Sequence, residues 1–183
     1  MKKYIFKLLA LFLPALVLFS CEKENNPTEI ELPTQINFGE SKIYLNGELK
    51  PGFKTFIDYT KSIEDFGFSF VEDVSPRLSH GIGFNWMPLK EGRFPIGKPG
   101  IFHEVVPASF SQSLEEDLPA YEYELIEPEN GYFEIEQLDT IKQEVKGHFK
   151  AKFRRTTTNG NKDLGLPKII LMQGIFYEHY EVF

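Results

Sequence analysis

The chain has 183 residues, of which 42% are hydrophobic, 15% aromatic and 26% charged, with a formal net charge of −7. That composition excludes a disordered or collagen-like polymer, and the length suits one domain. A single cysteine excludes a disulfide framework and a Cys-rich zinc module, and no apolar run reaches the roughly 18 to 20 residues of a spanning helix.

Lys2, Lys3 and Lys7 precede an apolar stretch at residues 8–19, broken only by Pro14, and Ser20-Cys21 follows at once. This is the build of a secretory signal. As a helix the stretch spans roughly 18 Å against a hydrocarbon core of ~30 Å, so residues 1–20 read as a cleaved leader. Leu18-Phe19-Ser20-Cys21 resembles a bacterial lipobox, in which the Cys behind a small residue receives a diacylglycerol thioether and becomes the acylated first residue. Phe19 is bulkier than that pattern usually carries. The resemblance implies that Cys21 is the lipidation site, and acyl chains worth ~0.8 kcal/mol per buried CH2 hold such a domain on a membrane.

Behind the Cys, Glu22-Lys23-Glu24-Asn25-Asn26-Pro27 and a polar run containing Pro33 have little to bury. Residues 21–35 therefore read as lipidated Cys plus flexible tether, and 36–183 as a single β-rich domain. The lysine-and-acid pattern after Cys21 resembles the export signal of Bacteroidetes-type lipoproteins. That implies the outer membrane with the domain facing the cell exterior, the periplasmic face being the alternative. Without Lys2, Lys3 and Lys7 the net charge moves from −7 to −10, which disfavours nucleic acid as a partner and favours a soluble, self-repelling surface.

From there Gly and Pro recur from Gly39 to Gly174 and leave little room for long helices. Asn46-Gly47 matches a two-residue hairpin turn. Residues 53–66 are the one serious helix candidate, with apolar positions at 53, 56, 57, 63 and 66; the same stretch also reads as an edge strand through Thr55, Ile57 and Tyr59. Ser113 and Glu116 have capping-box spacing, but Pro119 limits any helix there to about a turn. Two-residue alternation marks strands at Phe66, Phe68 and Phe70, at Ile82, Phe84 and Trp86, and at Tyr121, Tyr123 and Leu125.

The cleanest alternation is Val145, Gly147, Phe149, Ala151 and Phe153 against Lys146, His148, Lys150, Lys152 and Arg154, one face packed and one wet. A strand from Gly131 to Leu138 precedes it through a hairpin connection. Ile169-Ile170-Leu171-Met172 is apolar on both faces, which predicts a strand buried on both sides or at a seam. About nine or ten such strands predict an all-β domain, an antiparallel sandwich, with a lipocalin-like closed barrel as the alternative. Of 18 Phe, three (Phe6, Phe12, Phe19) leave with the leader, and the remaining fifteen suffice to fill a sandwich core.

Several of these segments resemble those of small outer-membrane lipoproteins of Bacteroidetes type. They are Gly131 through Leu138-Asp139, Gly147-His148-Phe149 and Gly174-Ile175-Phe176, with Leu45-Asn46-Gly47 as an opening turn and Gly92-Arg93-Phe94-Pro95-Ile96-Gly97 as a Gly-Thr-Tyr-like strand. The resemblance implies a β-rich, lipid-anchored domain and carries over no catalytic residue.

The search for chemistry is brief. His80, His103, His148 and His179 lack metalloprotease or zinc spacing, so no metal and no cofactor is expected. His148 falls on a polar strand face. No nucleophile elbow, P-loop or dinucleotide fingerprint occurs, and no catalytic residue is assigned. The carboxylates Glu115, Glu116, Asp117, Glu122, Glu124, Glu127, Glu129, Glu134 and Glu136 read as a solvated acidic face, although two across a cleft would suit a glycosidase. Residues 158–163 carry oxygen side chains without EF-hand spacing and read as a turn.

Among aromatics able to stack on sugars, alternation places Trp86 in the core and leaves Tyr177 or Tyr180 the most exposed, with Tyr121 and Tyr123 as further candidates. The expected function is a non-catalytic, lipid-anchored binding or structural accessory of the envelope, with a glycan or envelope protein as partner. The alternatives are a small glycan-active hydrolase, or an apolar-ligand carrier if the fold is a barrel.

Overall fold

A computed structural model describes residues 27–62, 64–98, 105–114, 118–156 and 166–183. The leader, Cys21, His103, the acids at 115–117 and the loop at 158–163 lie outside them. The described strands are β1 Glu40–Leu45, β2 Glu48–Lys50, β3 Phe53–Thr60, β4 Asp65–Ser75, β5 Leu78–Met87 and β6 Gly92–Gly97. They continue with β7 Val106–Leu114, β8 Leu118–Ile126, β9 Tyr132–Asp139, β10 Glu144–Arg155, β11 Ile169–His179 and β12 Glu181–Val182. A 3-10 turn at Pro128–Asn130 is the one helical element among the described residues. The all-β expectation holds, with more strands than the periodicity suggested because β2 and β12 are too short to alternate visibly.

All twelve strands belong to one mixed sheet that curls around its own core. One wall is β3-β4-β5-β7 and the facing wall is β9-β10-β11-β1. β8 joins them by pairing with both β7 and β10, and β6 joins them by pairing with β7 and β9. On the opposite flank the chain of β11 runs through Tyr180 into β12, which pairs in parallel with β3 at Asp58 and Tyr59. There β1 meets β3 through side chains, Thr55 Oγ1 donating to Ser41 Oγ at 2.7 Å. The facing walls pack as in a sandwich, while the joints make them one sheet and keep it from being a clean barrel.

Phenylalanine fills the space between the walls. Phe66, Phe68, Phe70, Phe84, Phe133, Phe149, Phe153 and Phe176 are fully buried. Their rings meet across the core, Phe68 to Phe133 at 4.6 Å, Phe84 to Phe133 at 4.8 Å and Phe70 to Phe149 at 4.9 Å between centroids. Each buried ring contributes about 1.5–3 kcal/mol by area, and well-placed ring pairs add about 0.5–1.5 kcal/mol. The interior that an apolar-ligand carrier needs is occupied by these rings.

The segment at 53–66 is a hairpin half, not a helix. β3 pairs with β4 along its whole length, Thr55, Ile57 and Tyr59 alternate with the outward Phe56 and Asp58, and Phe66 belongs to β4. Its helix-like spacing comes from Phe56, which points out and stays 54% exposed. Asn46-Gly47 forms the expected turn with φ of 52° and 87°. A side chain at Gly47 would also press within 3.2 Å of Thr28.

β11 is buried on both faces, as its run of apolar residues predicts. Inward it meets the Phe core; outward it is covered by the N-terminal segment. Ile30 donates its N–H to Gln173 Oε1 at 3.0 Å and accepts from Gln173 Nε2 at 2.9 Å, so one carboxamide acts as a neighbouring strand would. Glu29 adds an ion pair with Lys150 at 2.8 Å. The second part of the expected tether is therefore a strap docked on the sheet. Isolated residues of polar sequence give no periodic signal for such docking.

Candidate functional site

The outer face of β4, β5 and β7 carries a shallow groove of about 330 Å³. Strand alternation builds it. Ile82 and Phe84 of β5 point into the core, so Gly81 and Gly83 face out and form the floor. Phe110 and Gln112 of β7 point inward, so Ser109, Ser111 and Ser113 line one side, and Ser69 and Val71 of β4 line the other. Ser79 and Asn85 lie along the same β5 face. The described residues that line the groove include no Asp, Glu, Lys or Arg. A Cβ at Gly81 would stand 2.8 Å from the Phe70 carbonyl oxygen, so the floor cannot rise without moving backbone.

Register sets an aromatic plane beside this polar trough. Phe56 pairs with Ser69, Ser69 with Gly83 and Gly83 with Ser109, one row across four strands. At the end of the groove near Asn85, Asp58 and Asn85 face each other over Gly67, where an added Cβ would lie 3.3 Å from Asp58 Oδ1 and 3.6 Å from Asn85 Oδ1. Burial raises the Asp58 carboxyl above its ordinary range, and the charges of Asp65 and Glu181 push it the same way. These carboxylates come from β3, β4 and β12, so no local stretch of sequence shows their shared field.

Trp86 corrects the sequence reading. It is 43% exposed rather than core, with φ of 54°. The pairing of β4 with β5 slips between Phe66 and Phe68, so Asn85 and Trp86 both face out and Met87 takes the buried position. Asp65 Oδ1 holds the bulge by accepting the Trp86 N–H at 2.5 Å. Tyr180 is the reverse correction, 2% exposed and packed on Phe66 at 5.2 Å. Tyr121 and Tyr123 are buried, and Tyr177 is partly buried with its hydroxyl donating to Glu144 Oε2 at 3.0 Å.

The basic stripe of β10 faces out as alternation predicts, and acidic neighbours meet it. Lys146 pairs with Glu136 at 2.8 Å and Lys152 with Glu127 at 2.7 Å. His148 sits between two carboxylates, Nδ1 3.1 Å from Glu136 and Nε2 3.4 Å from Glu134. The carboxylates sit on opposite nitrogens of one ring, so the three groups do not converge on a point where a metal would bind, and no metal-binding group of three or more occurs among the described residues. Arg93 stacks over Tyr132 at 3.7 Å beside them. Glu124 pairs with Lys98 at 3.5 Å.

His80 is different from the other histidines. It lies inside the sheet, 6% exposed, between Phe53 and Phe110. Glu72, His80, Gln112 and Tyr121 form one inward row across β4, β5, β7 and β8. Neither ring nitrogen of His80 nor Gln112 Oε1 has an aligned hydrogen-bond partner. Sequence reading assigned His80 to no face; its alternation with Ile82 and Phe84 is the signal that could have placed this imidazole inside.

No protein-family model, curated protein or solved structure matches this chain.

Proposed function

We propose that the protein is a lipid-anchored binding module of the cell envelope, held at the outer membrane through Cys21 and facing the exterior, that takes a glycan chain along the β4-β5-β7 face. The observation that carries the ligand class is the row Phe56, Ser69, Gly83, Ser109, an exposed aromatic ring beside an uncharged trough of hydroxyls with Asn85 at its end. A pyranose offers a flat apolar face for the ring and hydroxyls for serine and amide partners. An uncharged trough suits a neutral, hydroxylated ligand and supplies no ion pair for a charged one. The anchor rests on the leader and the lipobox-like Leu18-Phe19-Ser20-Cys21.

Binding of the purified protein to a glycan array, followed by titration calorimetry on any hit, tests the ligand. Loss of binding in both Phe56→Ala and Gly83→Val supports the groove; retained binding in both removes it. Mass spectrometry of the mature N-terminus tests the anchor, because diacylglycerol on Cys21 is a fixed mass addition.

A hydrolase is the second reading, and the raised Asp58 carboxyl beside Asp65 favours it. A raised carboxyl is what a general acid needs near neutral pH. Turnover of a bound glycan that disappears in Asp58→Asn, with binding intact, would select this reading over simple binding.

A further inference from the structure

The strap sets where the N-terminal chain leaves the domain. It enters the described structure at Pro27, in a cleft lined by Glu127, Lys150, Lys152 and Leu171. Thr28 and Ile30 pack against the turn at Gly47, and Gln173 grips Ile30 from both sides of its peptide. The segment then runs down the outside of β11 to Phe38, whose ring meets Tyr177 at 5.2 Å, before the chain turns back into β1. The N-terminal chain therefore leaves at the rim made by the β1-β2 turn and the tip of the β4-β5 hairpin.

We infer that this rim, with Leu49 and Val74 half-exposed on it, faces the lipid surface, and that the opposite rim is held away from it. The inference rests on the anchor reading of Cys21. Its force comes from two lengths. Five residues lie between Cys21 and Pro27, and the six Cα–Cα steps reach at most ~22 Å when fully extended. From Leu171 to His179 the path along β11 is about 26 Å. Even at full stretch along the sheet wall, its least probable state by chain entropy, the linker falls short of bringing the far rim to the lipid.

The decision matters because, among the described residues, the far rim carries the more exposed apolar side chains. Ile141 is 93% exposed, Phe183 70%, and Trp86 and Val182 lie at the same end. By hydrophobicity alone that end would enter the membrane; by the strap it cannot. Those side chains are then displayed outward.

Removal of the thiol of Cys21 into a thioether leaves the mature chain free of other cysteines, so single reporters can be introduced. The full lipidated protein carrying Pro76→Cys or Ile141→Cys, fluorescently labelled, is reconstituted into phosphatidylethanolamine–phosphatidylglycerol vesicles containing a headgroup-quencher lipid. Quenching is expected to be severalfold stronger at 76 than at 141. Equal quenching, or stronger quenching at 141, in protein that floats with the vesicles overturns the orientation while leaving the anchor standing. A protein that does not float and shows a free Cys21 thiol overturns the anchor and the orientation with it. Ile30→Pro removes the strap's N–H donor while leaving every strand residue unchanged, and the contrast between 76 and 141 should shrink; an unchanged contrast overturns the strap as its cause.

Discussion

His80 Nε2 stands 2.8 Å from Glu72 Oε2, yet too obliquely for a hydrogen bond, at the inner face of the sheet beneath Phe53. Burial holds this imidazole below its ordinary range; Glu72 opposes the shift and Lys50 adds to it. The folded protein thus binds the proton less readily than the unfolded chain. Stability is full above the unfolded histidine value of ~6.5 and falls as pH drops through it. Urea midpoints at pH 7.5 and 5.5 should show a loss on acidification that is smaller in His80→Phe. An equal loss in both proteins would show that His80 is not the group responsible. Glu127 and Asp139, held low by Lys152 and by the Lys142 N–H respectively, act only at lower pH, and the raised Asp58 carboxyl acts in the opposite sense in both proteins, so the comparison with His80→Phe isolates the imidazole.

Phe133 touches more of the ring network than its neighbours in sequence, meeting Phe68, Phe84, Phe149 and Phe176. Its replacement removes contacts to both walls at once and leaves a cavity that neighbouring rings cannot close without leaving their own partners. Phe133→Ala should cost about 3–5 kcal/mol in denaturant unfolding. Phe38→Ala, at a ring 53% exposed and outside the core, should cost well under half of that. Similar losses at the two sites would contradict the placement of the core.

Much of this fold was legible because strand alternation survives wherever hydrogen-bonded register is regular. The inward rows of β10 and the doubly buried β11 can be read from residues 145–153 and 169–172 alone. Reading fails where register slips. At Trp86 one extra residue in β5 reverses the facing of every side chain beyond it, and nothing local in Phe84-Asn85-Trp86 announces the slip. It fails again where polarity is satisfied at long range, as at Ile30 with Gln173, 143 positions apart. The groove was invisible for a third reason: its floor is made of Gly81 and Gly83, whose contribution is the absence of side chains.

Gly174 offers a test of packing rather than of turn geometry. A Cβ there would fall 2.5 Å from Phe149 Cε1 and 2.7 Å from Ile43 Cδ1, both fully buried. Gly174→Ala should destabilise by about 1–3 kcal/mol through overpacking. In Gly39→Ala no atom lies within 4 Å of the new Cβ, but φ is +80°. Its cost should come from backbone strain alone, about 1–2 kcal/mol. Circular dichroism melts of the two variants separate these causes when combined with Phe149→Leu, which should relieve Gly174→Ala and leave Gly39→Ala unchanged.

Trp86 is the only tryptophan, so its fluorescence reports the bulge without labelling. At 43% exposure, with the backbone N–H of Trp86 tied to Asp65, the indole should emit at a wavelength between buried and fully solvated limits and be quenched by iodide. Asp65→Ala removes the acceptor that holds the left-handed backbone at this residue, a conformation an L side chain adopts at a cost of about 1–2 kcal/mol. Two relaxations are open to the variant. If the bulge persists, emission stays put and stability drops by about 1 kcal/mol. If β5 slips back into register, Trp86 swings into the position now filled by Met87, emission moves to the blue and iodide quenching falls. The second outcome would make the Asp65 carboxylate the element that decides which face of the strand carries the indole. A blue, iodide-protected Trp86 in the unaltered protein would contradict the exposed placement itself.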